Sequence, residues 1–257
     1  MAEFKKFDED FRLTGKHTLI TGAASGIGLA IARMFARKGS DIIALDKAAD
    51  LSELETYVRK TGRRFLGISG DIRDRKVIQD AVSRAIATFG RIDVLINCAG
   101  VGLIDKAEDM QEEMWDLTMA VDLKAPFVLS QTVGRTMIQN GGGRIINIAS
   151  QAGIVALDKH AAYSTAKAGL IMLTKILALE WGRHNIRANA ISPTVVLTPM
   201  GEKAWDGEVG ERFKKLIPAG RFGYPDEVAA CAVFLASDAA DLINGENLVI
   251  DGGYTIT

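Results

Sequence analysis

The run His17-Thr18-Leu19-Ile20-Thr21 has strand length and composition, and it passes straight into Gly22-Ala23-Ala24-Ser25-Gly26-Ile27-Gly28 and then a stretch of helical period. A helix launched this way carries unpaired N–H groups at its start, beside the carboxyl edge of the strand, where an anion can rest. It also returns the chain to the far end of the sheet, so the next strand must run parallel to the first. The remaining sequence keeps that alternation. Strands are expected at His17–Thr21, Asp41–Asp46, Arg64–Ile68, Ile92–Asn97, Arg144–Ala149, Arg187–Ile191 and Asn247–Ile250. Helices are expected at Gly26–Lys38, Asp50–Lys60, Asp74–Phe89, Glu112–Gln139, Ala161–Arg183 and Asp226–Ala236, with a break or kink near Pro126 in the long fourth one. The pattern predicts an α/β, single-domain Rossmann fold: a doubly wound, seven-stranded parallel sheet with helices on both faces. Its ligand crevice lies at the carboxyl ends of the strands. No linker or repeat divides residues 1–257, so the expectation is one domain, with a cofactor half at about 14–100 and a catalytic and substrate half at about 101–257.

The glycine turn reads Gly-x-x-x-Gly-x-Gly, one residue longer in its first gap than the usual dinucleotide fingerprint. Gly22 suits the sharp turn, and Gly26 and Gly28 suit close backbone approach, with Ser25 and Ile27 between them. The second strand ends in Asp46, where a carboxylate can accept from adenosine ribose hydroxyls and repel a 2′-phosphate. That favours NAD over NADP, although the neighbouring Lys47 could compensate a phosphate. After the third strand, Asp71 is placed to accept from an adenine amino group and Ile72 to pack on the ring. Asn97, Ala99 and Gly100 end the fourth strand with small residues against which a cofactor can lie.

The second half carries Tyr163 and Lys167, four residues apart, with Ser150 upstream. On a helix that spacing shares a face, so the lysine ammonium can favour the phenolate of a tyrosine that in isolation ionises near pH ~10.

The net charge of −1 argues against a nucleic acid or an anionic membrane as partner. The first ten residues hold no apolar signal core, and the longest apolar candidate, Leu170 to Trp181, is broken by Lys175 and Glu180. Cys98 and Cys231 read as core residues of a reducing compartment, and the three histidines lack ligand spacing, so a cytoplasmic protein without a metal is expected.

Taken together, Thr21-Gly22-x-x-x-Gly26-x-Gly28, Asn97-x-Ala99-Gly100, Ser150, Tyr163-x-x-x-Lys167 and Ser192-Pro193 leading to Thr198 resemble the short-chain dehydrogenase/reductase family over nearly the whole chain. The resemblance implies that Tyr163 exchanges a proton with a substrate hydroxyl, that Ser150 hydrogen-bonds the same oxygen, and that Lys167 binds the nicotinamide ribose and tunes the tyrosine. It implies that Pro193, Val196 and Thr198 hold the carboxamide, with Thr194 in place of the usual glycine. Asp122, in Ala120-Val121-Asp122-Leu123-Lys124, stands where the family has an asparagine whose backbone carbonyl binds a relay water. The carbonyl survives this change, and the added carboxylate can raise the pKa of Lys167. Ile145 to Gly153, Leu157 to His160, Ala190 to Thr198 and the ending Ile250 to Ile256 resemble the D-threitol and related sugar-alcohol dehydrogenases of that family. That implies oxidation of a secondary alcohol of a tetritol or pentitol to a ketose, with Gln151, His160 and Trp205 as contacts to the polyol and Met200–Lys215 as a lid. The family also implies a homotetramer. Two other readings stay open here: an NADPH-dependent carbonyl or 3-oxoacyl reductase, and a noncatalytic dinucleotide-binding protein.

Overall fold

A computed structural model describes residues 11–198 and 205–257. Seven strands form one sheet in the order β3-β2-β1-β4-β5-β6-β7, every neighbouring pair parallel. They are β1 His17–Thr21, β2 Asp41–Asp46, β3 Phe65–Ser69, β4 Val94–Asn97, β5 Gly143–Ile148, β6 Ile186–Pro193 and β7 Asn247–Ile250. The order reverses between β1 and β4, which opens a crevice at their carboxyl ends.

The helices between the strands are α1 Gly26–Arg37, α2 Ser52–Lys60, α3 Arg75–Phe89, α4 Glu112–Met119, α5 Ala125–Gln139, α6 Ala161–Trp181, α7 Gly207–Lys214 and α8 Pro225–Ala236. They form two layers because strand side chains alternate between faces. Ile20, Ile42, Ala44, Val94 and Ile146 turn toward α1 and α8, packing on Ile31, Phe35, Val228 and Ala232. Leu19, Ile43, Leu45, Leu95 and Ile145 turn the other way, onto Ile78, Val82, Leu129 and Leu177. Both faces are apolar, which is why these strands read as continuous hydrophobic runs.

The interval Glu112–Gln139 is broken near Pro126, as expected: a π turn, Ala120–Lys124, joins α4 to α5. Proline has no N–H to offer the carbonyl four residues back, here that of Asp122, so the helix widens just before it and Ala125 N–H bonds Ala120 O. Two other expectations need correction. Helix α7 falls in a stretch where no helix was expected; the Asp206 carboxylate caps it through Gly207 N–H. The part of the expected lid from Met200 to Ala204 lies outside the described residues. Finally, Ala161–His184 is long and apolar enough to cross a membrane, at 24 residues with mean hydropathy 1.2. Its apolar side nevertheless packs on the sheet through Leu170 and Leu177, and it carries a buried lysine, Lys167.

Candidate active site

The glycine turn is built by contacts that only hydrogen side chains permit. Gly22 has φ +69, and a Cβ there would lie 2.9 Å from Ala99 Cα. A Cβ on Gly28 would sit 2.1 Å from Gly22 O, inside any allowed contact. Thr21 Oγ1 fastens the two turns together, accepting from Cys98 N at 3.0 Å and Ala99 N at 3.1 Å. Ser25 begins α1 in extended conformation with no side-chain cap. The first helical bond runs from Leu29 N to Ser25 O, so the N–H groups of Gly26, Ile27 and Gly28 have no helical acceptor. This cradle fits a diphosphate.

Asp46 stands beside it at the end of β2. Its Oδ2 accepts from Ala24 N and its Oδ1 from Ala48 N, both at 2.9 Å, so the carboxylate is aimed by the glycine turn itself. Lys47 is exposed. Thr198 reaches the turn from across the crevice: a Cβ on Gly26 would be 3.2 Å from its Cγ2. Gly223 pins that loop from outside, since Leu197 N donates to Gly223 O at 2.9 Å and Gly223 N to Val195 O at 2.9 Å. Pro193 ends β6, and Val196 is buried. The α8 entry locks Gly223 in turn, because Glu227 accepts from Tyr224 N and pairs with Arg221 through both oxygens. The Arg221 guanidinium, then the Tyr224 N–H, hold the Glu227 carboxyl down at about 2.

One side chain expected to face the cofactor is engaged elsewhere, and a second turn offers its backbone alone. The Asn97 amide turns into the core, donating to Ser130 Oγ at 3.0 Å and to Asn147 Oδ1 at 2.7 Å, so only its backbone borders the crevice. The Asp71 carboxylate is gripped by Arg73, which lowers its pKa, and an adenine amino group would have to share those oxygens. Ile72 is half-buried against the α3 side of the core.

Ser150 follows β5 and opens a short 3-10 turn, Gln151–Gly153. Its Oγ accepts from Ala152 N at 3.1 Å, which leaves the hydroxyl hydrogen available to a ligand oxygen. Gly153 brings this turn onto α6: a Cβ there would lie 2.8 Å from Lys167 C and Ala168 N. Lys167 is buried and donates to Ile148 O at 3.0 Å. Its Nζ lies 5.5 Å from the Tyr163 ring centroid and 3.1 Å from Asp122 Oδ2. Burial is the largest influence on the ammonium and pulls its pKa down, but the Asp122 carboxylate, then Tyr163, outweigh it and hold the lysine above its ordinary value. Burial also pushes the neighbouring Cys98 thiol up to about 12, so it stays protonated.

Around this centre, His160 sits with its ring 6.0 Å from that of Tyr163, edge-on. The left-handed backbone of Lys159, φ +64, turns it there, and Asp105 N–H fixes the turn through Lys159 O. Its Nδ1 faces the Asp158 carbonyl, an acceptor, so that nitrogen carries the hydrogen. Gln151 is buried, and its Oε1 has no partner among the described residues. Trp205, expected to touch substrate, packs on Phe213 at 4.5 Å and Phe222 at 6.2 Å, anchoring α7. Sequence reasoning gave no individual role to Thr21, Gly153, Lys159 and Glu227, although Thr21 opens the glycine motif and Gly153 and the Tyr224-Pro225-Asp226-Glu227 start of α8 leave a local signal.

Comparison with known proteins agrees with this geometry. A family profile described as Enoyl-(Acyl carrier protein) reductase matches residues 22–255. The chain is 53% identical over 253 residues to an NAD-dependent glycerol dehydrogenase of Listeria innocua, covering 98% of this chain and 99% of that one. It is also 53% identical over 256 residues to a D-threitol dehydrogenase of Mycolicibacterium smegmatis, covering 99% and 98%. A gluconate 5-dehydrogenase from Burkholderia cenocepacia, solved with NADP and tartrate, superposes with a TM-score of 0.93 at 34% identity, covering 98% of this chain and all of that one. The chain belongs to the short-chain dehydrogenase/reductase family.

Proposed function

We propose that this protein is an NAD-dependent dehydrogenase that oxidises a secondary alcohol of a short polyol to the ketone. The carrying observation is the cluster of Ser150, Tyr163 and Lys167 at the mouth of a dinucleotide cradle whose adjacent strand ends in Asp46. The two relatives at 53% identity, named for glycerol and D-threitol, support the substrate class. The N–H groups at the start of α1 would hold the diphosphate, Asp46 the adenosine ribose, and the loop from Pro193 to Thr198 the carboxamide. When bound, the nicotinamide ring supplies the hydride acceptor.

The protein's own part is acid–base and positional. Tyr163 takes the carbinol proton, Ser150 donates to the same oxygen and steadies its charge, and Lys167 supplies a positive field beside the phenol. His160 Nε2 and the amide of Gln151 are the candidates for the remaining hydroxyls of the polyol. Asp46 disfavours the NADPH-dependent reductase reading, because a 2′-phosphate would meet a carboxylate already aimed at its place.

The same reading makes the protein a cytoplasmic homotetramer. Exposed Met172, Ile176 and Leu179 on α6, with Trp115 on α4 and Phe127 on α5, are apolar surface that an assembly would cover.

The test is NAD reduction at 340 nm over tetritols, pentitols, glycerol and simple diols, with wild type and Tyr163→Phe. Turnover on a short polyol is expected, and the variant should lose it by at least ~100-fold while still binding NAD. Full activity in the variant would refute the proposal.

A further inference from the structure

Lys167 and Asp122 form a buried ion pair that the family's asparagine does not provide. Their side chains are 6% and 0% exposed. Asp122 Oδ1 accepts from Val101 N at 2.8 Å, while Oδ2 lies 3.1 Å from Lys167 Nζ as an ion pair without a hydrogen bond of its own among the described residues. Gly100 makes the room, since a Cβ there would stand 3.1 Å from Oδ2 and 3.5 Å from Nζ. Pairing offsets part of the cost of burying either charge.

We propose that Asp122 is a positioning residue that holds the Lys167 ammonium and cancels much of its field at Tyr163, setting the tyrosine's proton exchange to a more alkaline pH than an unpaired lysine would. This rests on Tyr163 being the acid–base group. Nζ is 5.5 Å from the Tyr163 ring centroid and 3.1 Å from Oδ2, so the carboxylate lies no further than about 8.6 Å from the ring. At an effective dielectric of about 20, a unit charge at that range moves a phenol's titration by about one pH unit. Other groups facing this space leave the sign unchanged. The Cys98 thiol stays protonated. His160 meets the Tyr163 ring edge-on at 6.0 Å, with its Nδ1 on the Asp158 carbonyl, and is the same in every variant compared.

The experiment compares wild type, Asp122→Asn and Asp122→Ser by two readouts. The first is the pH profile of kcat/KM for polyol oxidation. The second is tyrosinate absorbance at 295 nm in protein without cofactor, with Tyr163→Phe subtracted to isolate one of the four tyrosines. Loss of the carboxylate should move the rising limb and the Tyr163 titration down by about one unit, and Asp122→Glu should move both back. A profile unmoved, or moved upward, in whichever of the two variants folds overturns the proposal. If Tyr163→Phe keeps its turnover, the functional reading itself has failed, and that outcome is separate from an unshifted titration.

Discussion

Replacing Asn147 by leucine tests whether the polar chain through the sheet is as dry as it looks. Asn147 is fully buried on β5. It accepts from Asn97 Nδ2 at 2.7 Å and donates to Thr174 Oγ1 on α6 at 2.8 Å. Leucine is close in shape but offers neither group. Asn97 would keep Ser130 for one amide hydrogen and leave the other without an acceptor, a penalty of about 1–3 kcal/mol. Thr174 would lose its incoming donor, about another 1 kcal/mol, while still donating to Leu170 O. A loss near 3 kcal/mol should lower Tm by roughly 6–12 °C in a chain of this size. The assay is urea and thermal unfolding at fixed protein concentration, with Asn97→Leu and the double variant closing a cycle. Because the second replacement removes the orphaned donor, the double variant should lose at least ~1 kcal/mol less than the two singles predict. A single-variant loss under about 0.5 kcal/mol would show that water reaches the amide and that this reasoning is wrong.

Asp46→Ser should lower kcat/KM for NAD by roughly 10–150-fold, the worth of a hydrogen bond to a charged acceptor, and raise the NADP-to-NAD ratio; an unchanged ratio removes Asp46 from cofactor choice. Light scattering at micromolar concentration should give a mass of four chains, and Leu179→Glu, at a side chain that is 84% exposed, should reduce it; a one-chain mass for wild type refutes the assembly.

What the sequence made legible was local. Apolar runs of strand length, the strand-to-glycine-turn junction and the four-residue spacing of Tyr163 and Lys167 each sit within a few residues, and the Ala99-Gly100 turn brings the last two together, touching Gly22 on one side and Lys167 on the other. What it hid depends on partners far along the chain. Nothing around Asn97 announces Ser130 or Asn147, 33 and 50 residues away, so the buried bonds of its amide could not be read locally. Trp205 finds Phe213 and Phe222, 8 and 17 residues on, which nothing in its own neighbourhood announces. Asp71 was different: Arg73, which occupies it, lies two residues on and was readable. The π turn was readable too, since Pro126 stands four residues after Asp122 and cannot serve that carbonyl.

The position of the buried amides explains why an apolar sheet carries them. Asn97 and Asn147 are direct partners in the β4–β5 register, and their side chains meet on the α5–α6 face. A slip of one residue in β5 would turn Asn147 onto the opposite face, among Ile20, Val94 and Ile96, where no partner awaits it. Leucine at that position would tolerate either arrangement, because both faces of this sheet are equally apolar. The slip would also carry Ile148 and Ser150 along the sheet, removing the carbonyl that Lys167 donates to. The network therefore does for the catalytic edge what hydrophobic burial cannot: it makes one register of β5 better than its neighbours by the price of a stranded amide, and the chemistry inherits its geometry from that choice.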